Sequence, residues 1–223
     1  MLDEEKLMAR VMKEFSFDKS FLITSLKEVD YGIAKEIKSK LKIKPLTGKE
    51  MGIRFVDIND YMNLNLEGSK RFKIPDAVMI NVLKTKISDP KNIYIAISPG
   101  VNDSSLIHEL AHALDYLTGG ILPAFAQAIS LEYSLPLEHL EHPHEFGYWF
   151  SYLKDEFDIV PDAEDTIIWI LYQEGLLIKN SEIKSLDAKL LKRKSDTIIK
   201  FLSENSESIL SKIKNLPGYL PSL

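Results

Sequence analysis

The chain has 223 residues, of which 45% are hydrophobic and 27% charged, and its formal net charge is −5. This composition is typical of a folded globular protein, and the acidic balance argues against a general nucleic-acid binder, which normally presents a basic face. Because the sequence contains no cysteine, disulfides, iron–sulfur clusters and cysteine-ligated zinc are excluded, so any metal needs His, Asp, Glu or water as ligands.

The first part of the chain predicts helices followed by strands. Over residues 1–43 apolar side chains recur every three or four positions, which is typical of helices: Met8, Val11, Met12, Phe15, Leu22, Leu26, Val29, Ile33 and Ile37. From about residue 50 β-branched residues dominate, and we predict strands in 51–58, 78–87 and 92–98, with a polar loop over 63–76. The acidic amino terminus lacks the apolar core of a secretory signal, so we expect a cytoplasmic protein.

After residue 103 the apolar spacing is helical almost to the end of the chain. Breaks are expected at four places: Gly119-Gly120, Pro136, Pro161 and 178–182. We interpret the basic run KLLKRKSD (189–196) as the solvated face of a long helix and expect no nucleic-acid partner. No apolar run approaches the length of about 18 residues that a membrane span needs, so no membrane contact is expected.

These patterns together predict one α+β domain over residues 1–223. Amino-terminal helices occupy 1–45 in this prediction. A small mixed sheet and one prominent helix follow in 46–120, and the remaining residues, 121–223, form a helical part.

The segment SSLIHELAHALDYLTGG (104–120) contains the one motif that indicates chemistry. His108 and His112 bracket Glu109 with the spacing H-E-x-x-H, for which we expect roughly 0.01 accidental matches in a chain of this composition. On a helix, at about 100° per residue, both imidazoles lie on one edge. The apolar residues of the segment lie on the opposite side: Leu106, Leu110, Ala113, Leu114 and Leu117. An exposed or hydrogen-bonded histidine pair is the alternative, but this geometry favours a metal site.

Zinc is the expected ion, because it accepts imidazole and carboxylate ligands and keeps one position for water in catalytic sites. Bound to zinc, that water has its pKa lowered to about 7. Glu109 projects about 100° from His108, so we predict that it is the general base and not a ligand. Asp115, one turn beyond His112, is a candidate acceptor for a ligand N–H, with an ion pair to another helix as the alternative.

A third protein ligand must come from a later segment. The remaining histidines, His139, His142 and His144, all lie close to Glu145 in PLEHLEHPHEFGYWFSYL (136–153). Pro143 is typical of a first helical position, so we expect Glu145 in the first turn of the next helix. Glu145, His142 and His144 are the candidate ligands, and His139 is expected at a cleft mouth or in solvent.

Catalysis of amide hydrolysis also needs a donor for the developing oxyanion. Tyr148, three residues after Glu145 on the same helix face, is the candidate, with aromatic packing as the alternative.

HELAHALDY, followed 33 residues after His112 by Glu145 in HEFGYWFSYL, resembles the zincin metalloproteases and, within them, the gluzincins. The resemblance covers residues 92–155. It implies His108, His112 and Glu145 as zinc ligands and Glu109 as the base. It also implies a zincin-like fold, in which the edge strand of a small twisted sheet binds an extended peptide beside the active-site helix.

Some details fit the gluzincin pattern and others depart from it. Gly147 stands where these families often have a small residue, whereas Trp149 replaces the aspartate that thermolysin-type enzymes carry four residues after the ligand glutamate. HPHEF is also similar to an element of Spartan-type zinc proteases, which would make His142 the third ligand, but the long spacing and the acidic surface count against it. We therefore rank Glu145 first, His142 second and His144 third. The metzincin pattern fails, because Asp115 replaces its glycine.

We therefore expect a zinc-dependent metallopeptidase that acts on a peptide or protein substrate. One alternative is a catalytically inactive zincin-like domain that binds metal or a protein partner. A helical interaction protein without metal is the other alternative.

Overall fold

The computed structural model describes residues 26–65, 76–80 and 92–217. The helix predicted around Met8 to Phe15, most of the loop predicted over 63–76 and most of the strand predicted over 78–87 lie outside the described residues. By its contacts the described chain divides into two compact units, one ending at Thr118 and one beginning at Gly119.

The first unit combines a small mixed sheet with helices. Its described helices are α1 (Ala34–Lys40), α2 (Ile43–Thr47), α3 (Ile58–Asn65) and α4 (Asp103–Leu117), and its strands are β1 (Gly52–Asp57), β2 (Ala77–Met79) and β3 (Asn92–Ile97). The strand order is β1-β3-β2, with β3 parallel to β1 and antiparallel to β2. The predicted α+β class with a small mixed sheet is confirmed.

The central strand β3 carries the most buried part of this sheet. Five of its six residues are buried, and its Ile95 pairs with Phe55 of β1, both at 0% exposure. A strand that is covered on both faces reads as a nearly continuous apolar run. This is why NIYIAI could be predicted as a strand from the sequence.

The structure corrects the helix prediction for residues 26–33. The spacing of Leu26, Val29 and Ile33 predicted that the helix of residues 1–43 runs through this segment, but α1 begins only at Ala34. Glu28 instead forms an antiparallel bridge with Val56, and the Val29 N–H donates to the Phe55 carbonyl at 3.0 Å. Hydrogen bonds to the open edge of β1 therefore determine the structure of this segment, although its apolar residues have helical spacing.

A second correction concerns the end of β1. Ile58, predicted as strand, begins α3, and this helix continues through residues 63–65, which were predicted as loop. Asp57 explains the change, because its carboxylate accepts the Asn59 N–H at 2.8 Å in the manner of a helix cap.

Helix α4 confirms the prediction for 104–118 to within one residue at each end. Its cap is Asn102, whose side chain accepts the Ser104 N–H at 2.8 Å. The helix ends before Gly119, whose φ of +102° lies in the left-handed region that favours glycine.

The second unit is helical throughout its described residues, as predicted. Its helices are α5 (Pro123–Tyr133), α6 (Glu138–Glu141), α7 (His144–Glu156), α8 (Ala163–Gln173), α9 (Asn180–Lys184), α10 (Ala188–Glu204) and α11 (Ser206–Lys214). Three of the predicted breaks coincide with gaps between helices, whereas the fourth, over 178–182, falls where α9 begins. No helix in the described part of the chain has both the length and the apolar character needed to cross a membrane.

Helix α7 packs closely against α8. A Cβ atom added at Gly147 would lie 2.7 Å from a ring carbon of Tyr172 and 2.8 Å from a methyl carbon of Leu177. Glycine is therefore required here for close packing.

Pro143 is the residue before α7 and not its first residue, one position from the prediction.

Candidate metal site

His108 and His112 face one another on α4. Their Nε2 atoms lie 3.1 Å apart, and their ring centroids are 4.8 Å apart at an interplanar angle of 70°. Both side chains are half-buried, whereas the apolar residues of the helix are buried: Leu106, Leu110, Ala113, Leu114 and Leu117. The predicted separation of the imidazoles from the apolar stripe is confirmed.

The spacing of the two nitrogens fits a shared cation. Zinc binds imidazole nitrogen at about 2.0–2.1 Å, and a tetrahedral angle then places two such nitrogens about 3.3 Å apart. The observed 3.1 Å also suits a direct hydrogen bond, in which one neutral imidazole donates to the lone pair of the other. The pair can therefore exchange this hydrogen bond for a divalent cation with only a small displacement of either ring.

His142, the candidate imidazole ligand from the later segment, lies in the second unit. His142 follows α6, is 3% exposed and packs against Phe146 with ring centroids 4.8 Å apart. Three imidazoles are a ligand set that zinc accepts in catalytic sites, with water in the fourth position.

Glu145 lies in the first turn of α7, as predicted, and its carboxylate is engaged at the start of α9. Its Oε2 atom accepts the backbone N–H of Asn180, the first residue of that helix, at 2.9 Å. The first N–H groups of a helix have no partner within it, so Glu145 acts as a cap for α9. The predicted role of Glu145 as a metal ligand stays a prediction.

His144, the other candidate ligand, lies on the same turn of α7 and contacts α8. Its ring centroid is 5.1 Å from that of Tyr172, and its backbone N–H donates to the carbonyl of Ile178 at 2.8 Å. These contacts give His144 a packing role, and ligation by it also stays a prediction.

Glu109 is anchored to the sheet. Its Oε2 atom accepts the backbone N–H of Met79, the last residue of β2, at 2.7 Å. The two residues are 30 positions apart, and no sequence pattern marks a backbone donor, so this contact could not be predicted. This hydrogen bond fixes one oxygen of the Glu109 carboxylate next to strand β2.

Asp115 and Tyr148 occupy different surroundings. Asp115 is 3% exposed on α4, so a hydrogen bond that it accepts from a ligand imidazole would lie in buried surroundings. Tyr148 is 49% exposed and lies edge-on to Trp149, with ring centroids 5.0 Å apart. Their predicted roles, fixing a ligand tautomer and stabilising an oxyanion, stay predictions.

His139 belongs to a separate buried pair. Its Nδ1 atom lies 2.8 Å from Oγ of Ser195 on α10. Burial lowers the pKa of His139, and the negative charge of Glu138 counteracts this effect only in part. The sequence favoured an exposed His139, but the structure buries it at 9% exposure, because Ser195 supplies the hydrogen-bond partner that a buried imidazole needs.

Comparison of the chain with protein-family models, with curated proteins and with solved structures gives no significant match. The resemblance to zincins therefore rests on the motif and its spacing. The ligand set and activity that the resemblance implies are tested only by the experiments proposed below.

Proposed function

We propose that this protein is a zinc-dependent metallopeptidase whose metal is held by His108, His112 and His142. The observation that carries the proposal is the Nε2 to Nε2 distance of 3.1 Å between the two α4 histidines. Zinc, when bound, supplies a Lewis acid that polarises a carbonyl oxygen and lowers the pKa of a water molecule.

We favour His142 over Glu145 as the third ligand. One oxygen of Glu145 already accepts the Asn180 N–H at 2.9 Å, so the start of α9 sets the position of this carboxylate and only its second oxygen is left for a cation. His142 is almost fully buried and supplies a neutral imidazole, the ligand type of catalytic zinc sites built from three histidines. This choice departs from the gluzincin pattern.

Glu109 has the role of general base in this proposal. An ionised carboxylate offers about four lone-pair sites, so the hydrogen bond from Met79 does not use up its capacity to accept a proton. Glu109 would take the proton of the attacking water and pass it to the leaving amine. Its place in the sequence beside His108 keeps the base next to the histidine pair without making it a ligand.

Zinc content decides the first part of the proposal. The protein is stripped with a chelator, reloaded with one equivalent of zinc, desalted and assayed for metal. We expect close to one zinc per chain in the wild type and less than a few tenths of an equivalent in His108→Ala and His112→Ala. His144→Ala is the matched control and should retain zinc, and full zinc retention by both α4 variants would refute the metal site.

Cleavage of an unfolded protein, such as casein, or of a mixed peptide library decides the second part. We expect the zinc-loaded wild type to cleave peptide bonds. Glu109→Gln should retain zinc but lose cleavage by about 100-fold or more, which is the usual contribution of an acid–base catalyst. A wild type that holds zinc but cleaves nothing would leave a metal-binding protein without peptidase activity. Equal cleavage by Glu109→Gln would exclude Glu109 as the base.

A further inference from the structure

We propose that the backbone N–H of Met79 is a positioning group for the Glu109 carboxylate. The inference rests on the proposed function, in which Glu109 is the base, and it adds a backbone group to the side chains of the proposed site. It starts from the hydrogen bond of 2.7 Å between the Met79 nitrogen and Oε2 of Glu109.

The direction of the Met79 N–H follows from the register of β2. In the antiparallel pair β2–β3, the Ile80 N–H donates to the Tyr94 carbonyl at 2.9 Å, and the Ser98 N–H donates to the Asp76 carbonyl at 2.9 Å. Alternate residues of a strand direct their backbone groups to opposite sides. The N–H of Met79 therefore points away from β3, on the side where Glu109 meets it.

The length of this hydrogen bond indicates a charge-assisted contact. N–H to carboxylate bonds at about 2.7–2.9 Å are shorter and stronger than bonds between neutral groups. Glutamate also has a flexible side chain that would otherwise occupy several rotamers. Anchoring one oxygen therefore restricts the position of the whole carboxylate.

The anchor itself is held by the sheet. Met79 pairs with Ile95 of β3, which is fully buried, so the strand that carries the donor is held against the buried centre of the sheet. A catalytic group is positioned best when its support comes from such an element. Loss of the donor would leave the base in place but free to turn, and a misplacement of about 1 Å can lower a rate about 100-fold.

A proline substitution removes this donor selectively. Proline is tolerated on a strand where the N–H does not take part in the ladder, and Val78 before it is already extended. We expect Met79→Pro to retain zinc and to lower kcat by about 10- to 100-fold with KM changed less than about twofold. Ala77→Pro is the matched control and should retain kcat, since the Ala77 N–H also points away from β3 but is not the donor to Glu109.

An NMR measurement tests the contact without relying on cleavage. The protein has six methionines, so selective ¹⁵N-methionine labelling gives few amide signals, and Met79→Ala assigns one of them to Met79. We expect Glu109→Ala to shift the Met79 signal and to accelerate its hydrogen exchange. Unchanged shift and exchange would overturn the inference even if Met79→Pro fails to fold.

The two measurements separate this inference from the proposed function. A zinc-loaded wild type without cleavage defeats the peptidase proposal, while a shifted Met79 amide in Glu109→Ala still supports the anchor. Cleavage with unchanged kcat in folded Met79→Pro supports the peptidase and overturns the positioning role.

Discussion

Replacing His142 and Glu145 one at a time separates a metal ligand from a helix cap only three residues away. His142→Ala removes a nitrogen of the proposed metal site. Glu145→Ala removes the acceptor of the Asn180 N–H at the start of α9. We expect the first variant to lose the stabilisation that zinc confers and the second to lose stability whether or not zinc is present.

The sizes of the two effects can be worked out from the contacts. A hydrogen bond to a charged group contributes about 1.5–3 kcal/mol. In a chain of this size, 1 kcal/mol changes the melting temperature by about 2–4 °C, so metal-free Glu145→Ala should melt about 3–12 °C lower than the wild type. Zinc at about 100 times its dissociation constant stabilises by about 2.7 kcal/mol, or about 5–11 °C.

Thermal unfolding of each protein with chelator and with excess zinc measures both quantities. The zinc-dependent increase in melting temperature should be unchanged in Glu145→Ala and strongly reduced in His142→Ala. Glu145→Gln is the matched control, because its amide oxygen can still accept the Asn180 N–H, and it should recover part of the metal-free stability. The opposite pattern, with the zinc increment lost in Glu145→Ala and kept in His142→Ala, would refute our choice of ligand.

Two further predictions concern stability. Gly147→Ala should lower the free energy of unfolding in urea by about 1–3 kcal/mol, because the new Cβ would lie 2.7 Å from the Tyr172 ring; Gly100→Ala, which meets open space, is the control and should change it little. Burial lowers the pKa of His139 in the folded chain below its ordinary value of about 6.5. Just below that pH the unfolded chain therefore binds more protons than the folded chain, so the free energy of unfolding should fall as the pH drops. In chelator, His139→Gln should show a flatter pH dependence, and an equal slope would mean that the pair of His139 with Ser195 is not its cause.

The elements nearest the candidate site were the most predictable. Strand β3 is an unbroken apolar run, and α4 has a full apolar stripe opposite its histidines, so a single periodicity determines each of them. Both are also short-range features, because a strand or helix of this kind is specified by the residues within it. The orientation of His108 and His112 followed directly from the helix period.

The predictions failed where a partner distant in sequence decides the structure. Residues 26–33 have helical spacing, but the segment pairs with β1 through Glu28 and Val56. His139 has a polar neighbourhood in sequence, yet it is buried because Ser195, 56 positions away, supplies its hydrogen-bond partner. Local pattern contains no information about such partners, so spacing alone could not predict these contacts.

The third ligand shows why the motif could be predicted more fully than the site. His108 and His112 share one helix, and their relative directions are fixed by four helical steps. His142 has φ −113° and ψ 71° in the turn between α6 and α7, outside any regular period, so its direction depends on backbone angles that the sequence does not display. Glu145 has a defined helical phase, and the family resemblance selected it, but the start of α9 needs the same carboxylate. The choice between His142 and Glu145 therefore depends on the contact of Glu145 with the start of α9, 35 positions away, which only the folded chain shows.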